Sequence, residues 1–139
     1  MDTKIVTRKT PSNRAWEEKN PEHHLWSLAR KRAKTNGLDF TLRICDIIIP
    51  KKCPYLEIPL NSKKGRGYKQ ADTPQLDRYN TTLGYTEHNT QVISGLANTM
   101  KNDATPEQLD TFAKNQLLKF ASARTRKEVY EQLKQEFEL

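Results

Sequence analysis

Apolar positions along this chain come in short runs separated by long polar stretches, and their period changes from run to run. Leu25, Leu28, Ala29 and Ala33 recur at three and four positions, the period of a helix. Asn20-Pro21-Glu22 reads as its start, with a capping side chain, Pro at the first helical position and an acid in the first turn. Gly37 stops it after Asn36. From Leu38 to Pro50 the alternation is irregular (Phe40, Leu42, Ile44, then Ile47-Ile48-Ile49). It suits a core segment that is either a strand or a short helix beginning at Thr41. A short apolar run then ends at Leu76 on the pair Asp77-Arg78. A polar turn containing Gly84 follows, and a second short apolar run extends from Thr90 to Ile93. After Ser94 the spacing becomes helical through Leu96, Ala97 and Met100. That sequence predicts strand, loop, strand, helix, with Ser94 as the helix cap.

Two more helices follow. Thr105-Pro106-Glu107-Gln108 is a capping box, and Leu109, Phe112, Ala113, Gln116 and Leu117 form a stripe expected to pack on the preceding unit. In the last segment Val129, Leu133 and Phe137 lie four apart, broadened by Tyr130. This helix either covers the core or makes a homodimer contact. The expected fold class is α+β: one small domain whose two short antiparallel strands and helix are flanked by helices. Its divisions are a basic arm over residues 1–19, a domain over 20–120 with its central unit at 72–103, and a C-terminal helix over 121–139.

Charge sharpens the picture. The 139 residues carry a net charge of +7, unevenly spread: residues 1–70 hold 16 Lys and Arg against 7 Asp and Glu, and residues 71–139 hold 8 against 10. A phosphate-rich partner suits a surplus confined to one half, and solubility alone is the plainer reading. Two segments concentrate it. Arg30, Lys31, Arg32 and Lys34 lie on one helix, where cations also suit the dipole at its C-terminus. Lys63, Lys64, Arg66 and Lys69 lie in a Gly-containing loop that can follow a sugar-phosphate strand. No run approaches the ~20 apolar residues needed to cross a bilayer. Met1-Asp2-Thr3-Lys4 lacks the apolar segment of a signal peptide. Two cysteines, Cys45 and Cys53, make no disulfide framework and are expected in the core as small hydrophobes. A cytoplasmic protein with no membrane association is the expectation.

Candidate chemistry gathers around the strand pair. The end of the first strand can face the first turns of the helix, so Asp77 and Asn98 are expected to converge, with Asn89 pinning the loop between them. A carboxylate and an amide oxygen are hard ligands suited to Mg²⁺ or Mn²⁺.

The run Leu76-Asp77-Arg78, Gly84-Tyr85, Asn89, Val92-Ile93-Ser94, Ala97-Asn98 and Lys101-Asn102-Asp103-Ala104-Thr105 resembles the HNH (ββα-metal, or His-Me finger) endonucleases, especially small phage-encoded members. Cys53-Pro54-Tyr55-Leu56-Glu57-Ile58-Pro59-Leu60 is similar to the hairpin that precedes the finger, and the likeness covers roughly residues 40 to 110. The resemblance implies a ββα-metal finger and hydrolysis of phosphodiester bonds in DNA, expected to be double-stranded. It also implies one divalent ion, Mg²⁺ or Mn²⁺, on Asp77 and Asn98, and the host cytoplasm as location if the chain is phage-encoded. Many such nucleases carry Cys-x-x-Cys where Cys53 stands. Here Leu56 takes the second place, so no structural zinc is expected. The family's general-base His is replaced by Arg78, which stays protonated and could clamp the scissile phosphate instead. His88, beside Asn89, is the first candidate for a substitute base, and an exposed loop histidine is the plainer reading. Lys101 joins the two basic segments as a candidate DNA contact. The same replacement supports a second reading, a catalytically impaired nucleic-acid-binding protein on the same fold. An interaction protein of phage type is a third.

Overall fold

A computed structural model of the chain describes residues 11–62, 70–120 and 123–137, with side chains at 11–14, 120 and 123–126 outside that description. Residues 1–10 of the expected arm, and Lys63, Lys64, Arg66 and Lys69, lie outside it as well. The described residues form a small mixed α+β structure with five helices and a two-stranded antiparallel sheet. The order is α1 (Pro11–Lys19), α2 (Pro21–Asn36), a 3-10 turn (Ile44–Asp46), β1 (Pro74–Arg78), a second 3-10 turn (Glu87–Asn89), β2 (Thr90–Ser94), α3 (Gly95–Lys101), α4 (Pro106–Phe120) and α5 (Ala123–Phe137). Residues up to 102 and residues 103–139 are separate compact units.

In the first unit the strands pair from Pro74 opposite Ser94 to Arg78 opposite Thr90. Side chains alternate across a sheet, and both faces here are covered. Leu76 and Val92 face Leu25, Ala29 and Ala33 of α2, together with Leu42, Ile47 and Tyr85. On the other face Ile93 packs with Ala97 of α3 and with Cys53. Ser94 caps α3 as expected, its Oγ accepting the Ala97 N–H at 3.1 Å. Gly95 leaves no room for a side chain, because a Cβ there would stand 2.5 Å from the Gln70 carbonyl oxygen. Residues 52–59 form a tight turn closed by one bridge between Lys52 and Pro59, with the Cys53 N–H donating to the Ile58 carbonyl at 2.8 Å.

Several expectations are corrected. Residues 11–19 are helix rather than arm; Trp16 packs edge-on against His23 at 4.8 Å between centroids. Asn20 does not cap α2 with its side chain. Its amide instead donates to the Trp16 carbonyl at 2.9 Å, tying α1 to α2. Gly37 does end α2, in the left-handed conformation at φ 63°. The 38–50 segment is neither strand nor α-helix. Its Phe40 bridges to Tyr85, and the Trp26 indole N–H holds the Leu42 carbonyl at 2.8 Å. Ile47 is buried, whereas Ile48 is 78% exposed, because the chain turns there. In that turn the Arg43 guanidinium and backbone N–H grip the Asp46 carboxylate and hold its pKa below the ordinary 3.8. A lowered folded-state value means that the stabilisation is complete above 3.8 and is lost as pH falls through the lower value. An NMR carboxyl titration should therefore place the Asp46 midpoint below 3.8, and a midpoint at or above it would contradict the contact.

The cysteines separate. Cys53 is 1% exposed, but Cys45 lies at the surface, contrary to the expected burial of both. Burial alone would raise the Cys53 pKa. Hydrogen bonds to the sulfur from Ser94, Leu56 and Tyr55 outweigh it and bring the thiol below its ordinary 9.0. Steric access decides labelling in the folded state. Iodoacetamide should modify Cys45 in the native protein and reach Cys53 only after denaturation. Equal rates on native protein would place Cys53 at the surface.

The second unit pairs α4 with α5, so that the α4 stripe has a helical partner within residues 103–139. The predicted capping box is present: Thr105 Oγ1 accepts the Gln108 N–H at 3.2 Å, and Gln108 Oε1 accepts the Thr105 N–H at 2.9 Å. The Lys114 ammonium lies over the Phe137 ring at 4.8 Å. Both α4 and α5 lie in the unit of residues 103–139.

Candidate functional site

The site forms where β1 ends beneath α3. Gln75 and Asp77, two residues apart, project from the same face of β1, and the register sets Gln91 opposite Asp77. Asn98 and Lys101, three apart on α3, come down onto that face one turn from each other. Lys101, not Asn98, reaches Asp77. Its Nζ donates to Asp77 Oδ2 at 2.5 Å and to the Arg78 carbonyl at 2.9 Å. Gln91 Nε2 donates to the same carboxylate oxygen at 3.2 Å and to the Tyr55 hydroxyl at 2.9 Å. Asn98 stops at Gln75, donating through Nδ2 to Oε1 at 2.6 Å. Asp77 and Lys101 are each only 6% exposed, so the ion pair is shielded from water.

Asn89 does what its position implied. Its Oδ1 accepts the Asn80 N–H at 3.0 Å, and its Nδ2 donates to the carbonyls of Asn80 (3.1 Å) and Gly84 (2.8 Å). One buried amide thereby fixes both limbs of the 79–89 loop. The loop is also held from outside. The Tyr85 N–H donates to the Asp39 carbonyl at 2.8 Å, and a side chain at Gly84 would collide with that same carbonyl.

Arg78 is engaged by the loop through one of its nitrogens. Its Nη1 donates to the carbonyls of Thr81 (2.9 Å) and Leu83 (2.8 Å), and its guanidinium lies over the Tyr85 ring at 5.0 Å. It braces the loop from within. His88 is exposed at the second 3-10 turn. Arg30, Lys31, Arg32 and Lys34 are exposed on α2, with Arg30 stacked over Trp26 at 5.1 Å. Lys101 is buried and so is not a surface contact for DNA.

Sequence reasoning missed Lys101 as the partner of Asp77, and with it Gln91, Gln75 and Tyr55. A signal for Lys101 existed: it lies four residues after the buried Ala97 and so shares its inward stripe. Gln91 and Tyr55 carried none, because their places depend on strand register and on the 52–59 turn. Among the described residues no three His, Cys, Asp or Glu side chains gather as a ligand cluster. Asp77 is the one carboxylate here; its Oδ2 faces two donors, Lys101 Nζ and Gln91 Nε2, and Asn98 turns its Nδ2 to Gln75, so a hard ion would need these contacts to open first. Among the described residues no helix is long and apolar enough to cross a membrane. No family model, curated protein or solved structure matches the chain.

Proposed function

We propose that this chain is a metal-dependent, HNH-like DNA endonuclease or nickase. The observation that carries the reading is a buried carboxylate, Asp77, at the end of β1 beneath α3, in a strand–loop–strand–helix unit whose loop is pinned by Asn89. Buried carboxylates are either paired or bound to a metal, and in the structure Lys101 pairs this one. The side-chain oxygens of Asp77 and Asn98 would hold one Mg²⁺ or Mn²⁺. Such an ion supplies Lewis-acid stabilisation of charge on a phosphodiester and its leaving oxygen. Asn89 keeps the site-bearing loop in place, Gln91 orients the Asp77 carboxylate, and the α2 cations offer contacts to the phosphate backbone. His88 is the nearest exposed imidazole in sequence that could take a proton from water, help typically worth ~10²–10⁴ in rate.

A second reading has its own observation. Arg78, where the base belongs, is a poor proton acceptor whose Nη1 is held by two loop carbonyls, with its guanidinium over the Tyr85 ring. A finger that binds nucleic acid without cutting it would look the same. Supercoiled plasmid incubated with the protein in Mg²⁺, Mn²⁺ or EDTA separates the two. Metal-dependent nicked or linear product supports the endonuclease. Salt-sensitive gel retardation with no product in any metal overturns it in favour of the binding protein.

A further inference from the structure

The unit of residues 103–139 builds two helices without closing a core. Among its described side chains none is buried. Leu109, Leu118, Val129 and Leu133 are only partly covered, and Phe112, Leu117, Tyr130 and Phe137 stay exposed, Phe112 to 64%. Chains below about 40 residues rarely hold a fold without a disulfide, a metal or an oligomer. Residues 103–139 contain neither Cys nor His, so no disulfide closes the unit and zinc lacks its usual ligands there. Charge indicates what completes the core. α4 ends at Phe120 and α5 begins at Ala123. Phe137, the last residue of α5, lies under the Lys114 ammonium midway along α4, so α5 folds back along α4. Folding back sorts the charges by end. The connected end, residues 117–127, carries Lys119, Arg124, Arg126 and Lys127 and no acid. The open end, residues 103–113 and 131–137, carries Asp103, Glu107, Asp110, Glu131 and Glu136 against one cation, Lys134. We propose that the α4–α5 hairpin is a dimerisation element that takes a second copy of itself in antiparallel orientation, basic end against acidic end. Two-fold symmetry makes the attractive contact twice, once at each end. The four helices form a bundle, and the apolar side chains now exposed become its interior. Parallel pairing would instead set like charges together at both ends. The proposal goes beyond the endonuclease reading and does not depend on it.

The test is the mass of the 139-residue chain by sedimentation equilibrium. It compares the wild type with two double variants, Phe112→Glu with Leu117→Glu and Lys119→Glu with Lys127→Glu. The wild type should approach twice its chain mass of 16.2 kDa. The apolar-face variant should fall to the single-chain mass and lose part of its helical circular dichroism. Its tryptophan emission should stay as in the wild type, because Trp16 and Trp26 both lie in the first unit. The charge variant replaces two exposed lysines. At low salt it should dimerise at least ~10-fold more weakly than the wild type, because the attraction at each end is lost. High salt should shrink that difference by screening the charges. If the apolar-face variant alters its tryptophan emission, the charge variant decides alone. A wild type that stays at the single-chain mass while helical overturns the proposal. A dimer untouched by Phe112→Glu with Leu117→Glu overturns it as well, since it forms through another surface. A dimer that tightens in Lys119→Glu with Lys127→Glu overturns the antiparallel arrangement.

Discussion

Lys101→Met should be strongly destabilising, costing about 3–5 kcal/mol in the absence of metal, the range for stranding one member of a buried ion pair. Both partners are 6% exposed. Removing the ammonium leaves Asp77 with the Gln91 amide as its described donor, at 3.2 Å, and leaves the Arg78 carbonyl without its lysine. Since small domains hold only about 5–15 kcal/mol in total, the variant stands near the unfolding threshold. Adding Asp77→Asn should recover a large part of the loss, because it removes the charge that was stranded. Urea denaturation of the two singles and the double measures the coupling. A loss below about 1 kcal/mol, the range of exposed pairs, would mean that the pair is solvated.

Asn89→Ala should cost about 2–4 kcal/mol, because three part-buried hydrogen bonds disappear together. The effect should also be local. Asn80 and Gly84 lie on opposite limbs of the loop, so amide hydrogen exchange should quicken across 79–89 before it quickens in β1 and β2. Asn89→Asp is the informative companion. It keeps the acceptor for the Asn80 N–H but faces two carbonyls with a carboxylate, so it should be no better than alanine. A variant with wild-type exchange in the loop would show that Arg78 and the Asp39–Tyr85 contact hold it unaided.

The sequence was legible where local chemistry decides the outcome. Ser94 and Thr105 cap the helices that follow them, because a hydroxyl before a helical run has backbone N–H groups within reach whatever surrounds it. Gly37 ends α2 for an equally local reason, its freedom to adopt positive φ. The strand–loop–strand–helix order followed from the change of period around Ser94. Asn89 was readable from its place in the loop between the two strands. The failures share a cause as well. Nothing in the neighbours of Arg78 announces that Thr81 and Leu83 turn their carbonyls toward its Nη1. Lys101 looked like a surface cation because lysine usually is one, and only the strand register makes Asp77 its neighbour. Cys45 and Ile48 looked like core because they are apolar; the turn held by Arg43 and Asp46 brings both to the surface. Asn20 stood in a capping position, yet its amide serves α1.

Asp77 is the residue on which the functional account stands, and Asn is the right replacement for testing it. Alanine would strand the Lys101 ammonium in a buried pocket, whereas Asn keeps the shape and an acceptor oxygen while removing the charge. The most direct measurement is the relaxation of supercoiled plasmid by the wild type and Asp77→Asn, matched for folding by circular dichroism, in Mg²⁺ or Mn²⁺. The account predicts metal-dependent nicked or linear product from the wild type and none from Asp77→Asn, with both proteins retarding DNA equally on a gel. Cleavage by Asp77→Asn at the wild-type rate would contradict it.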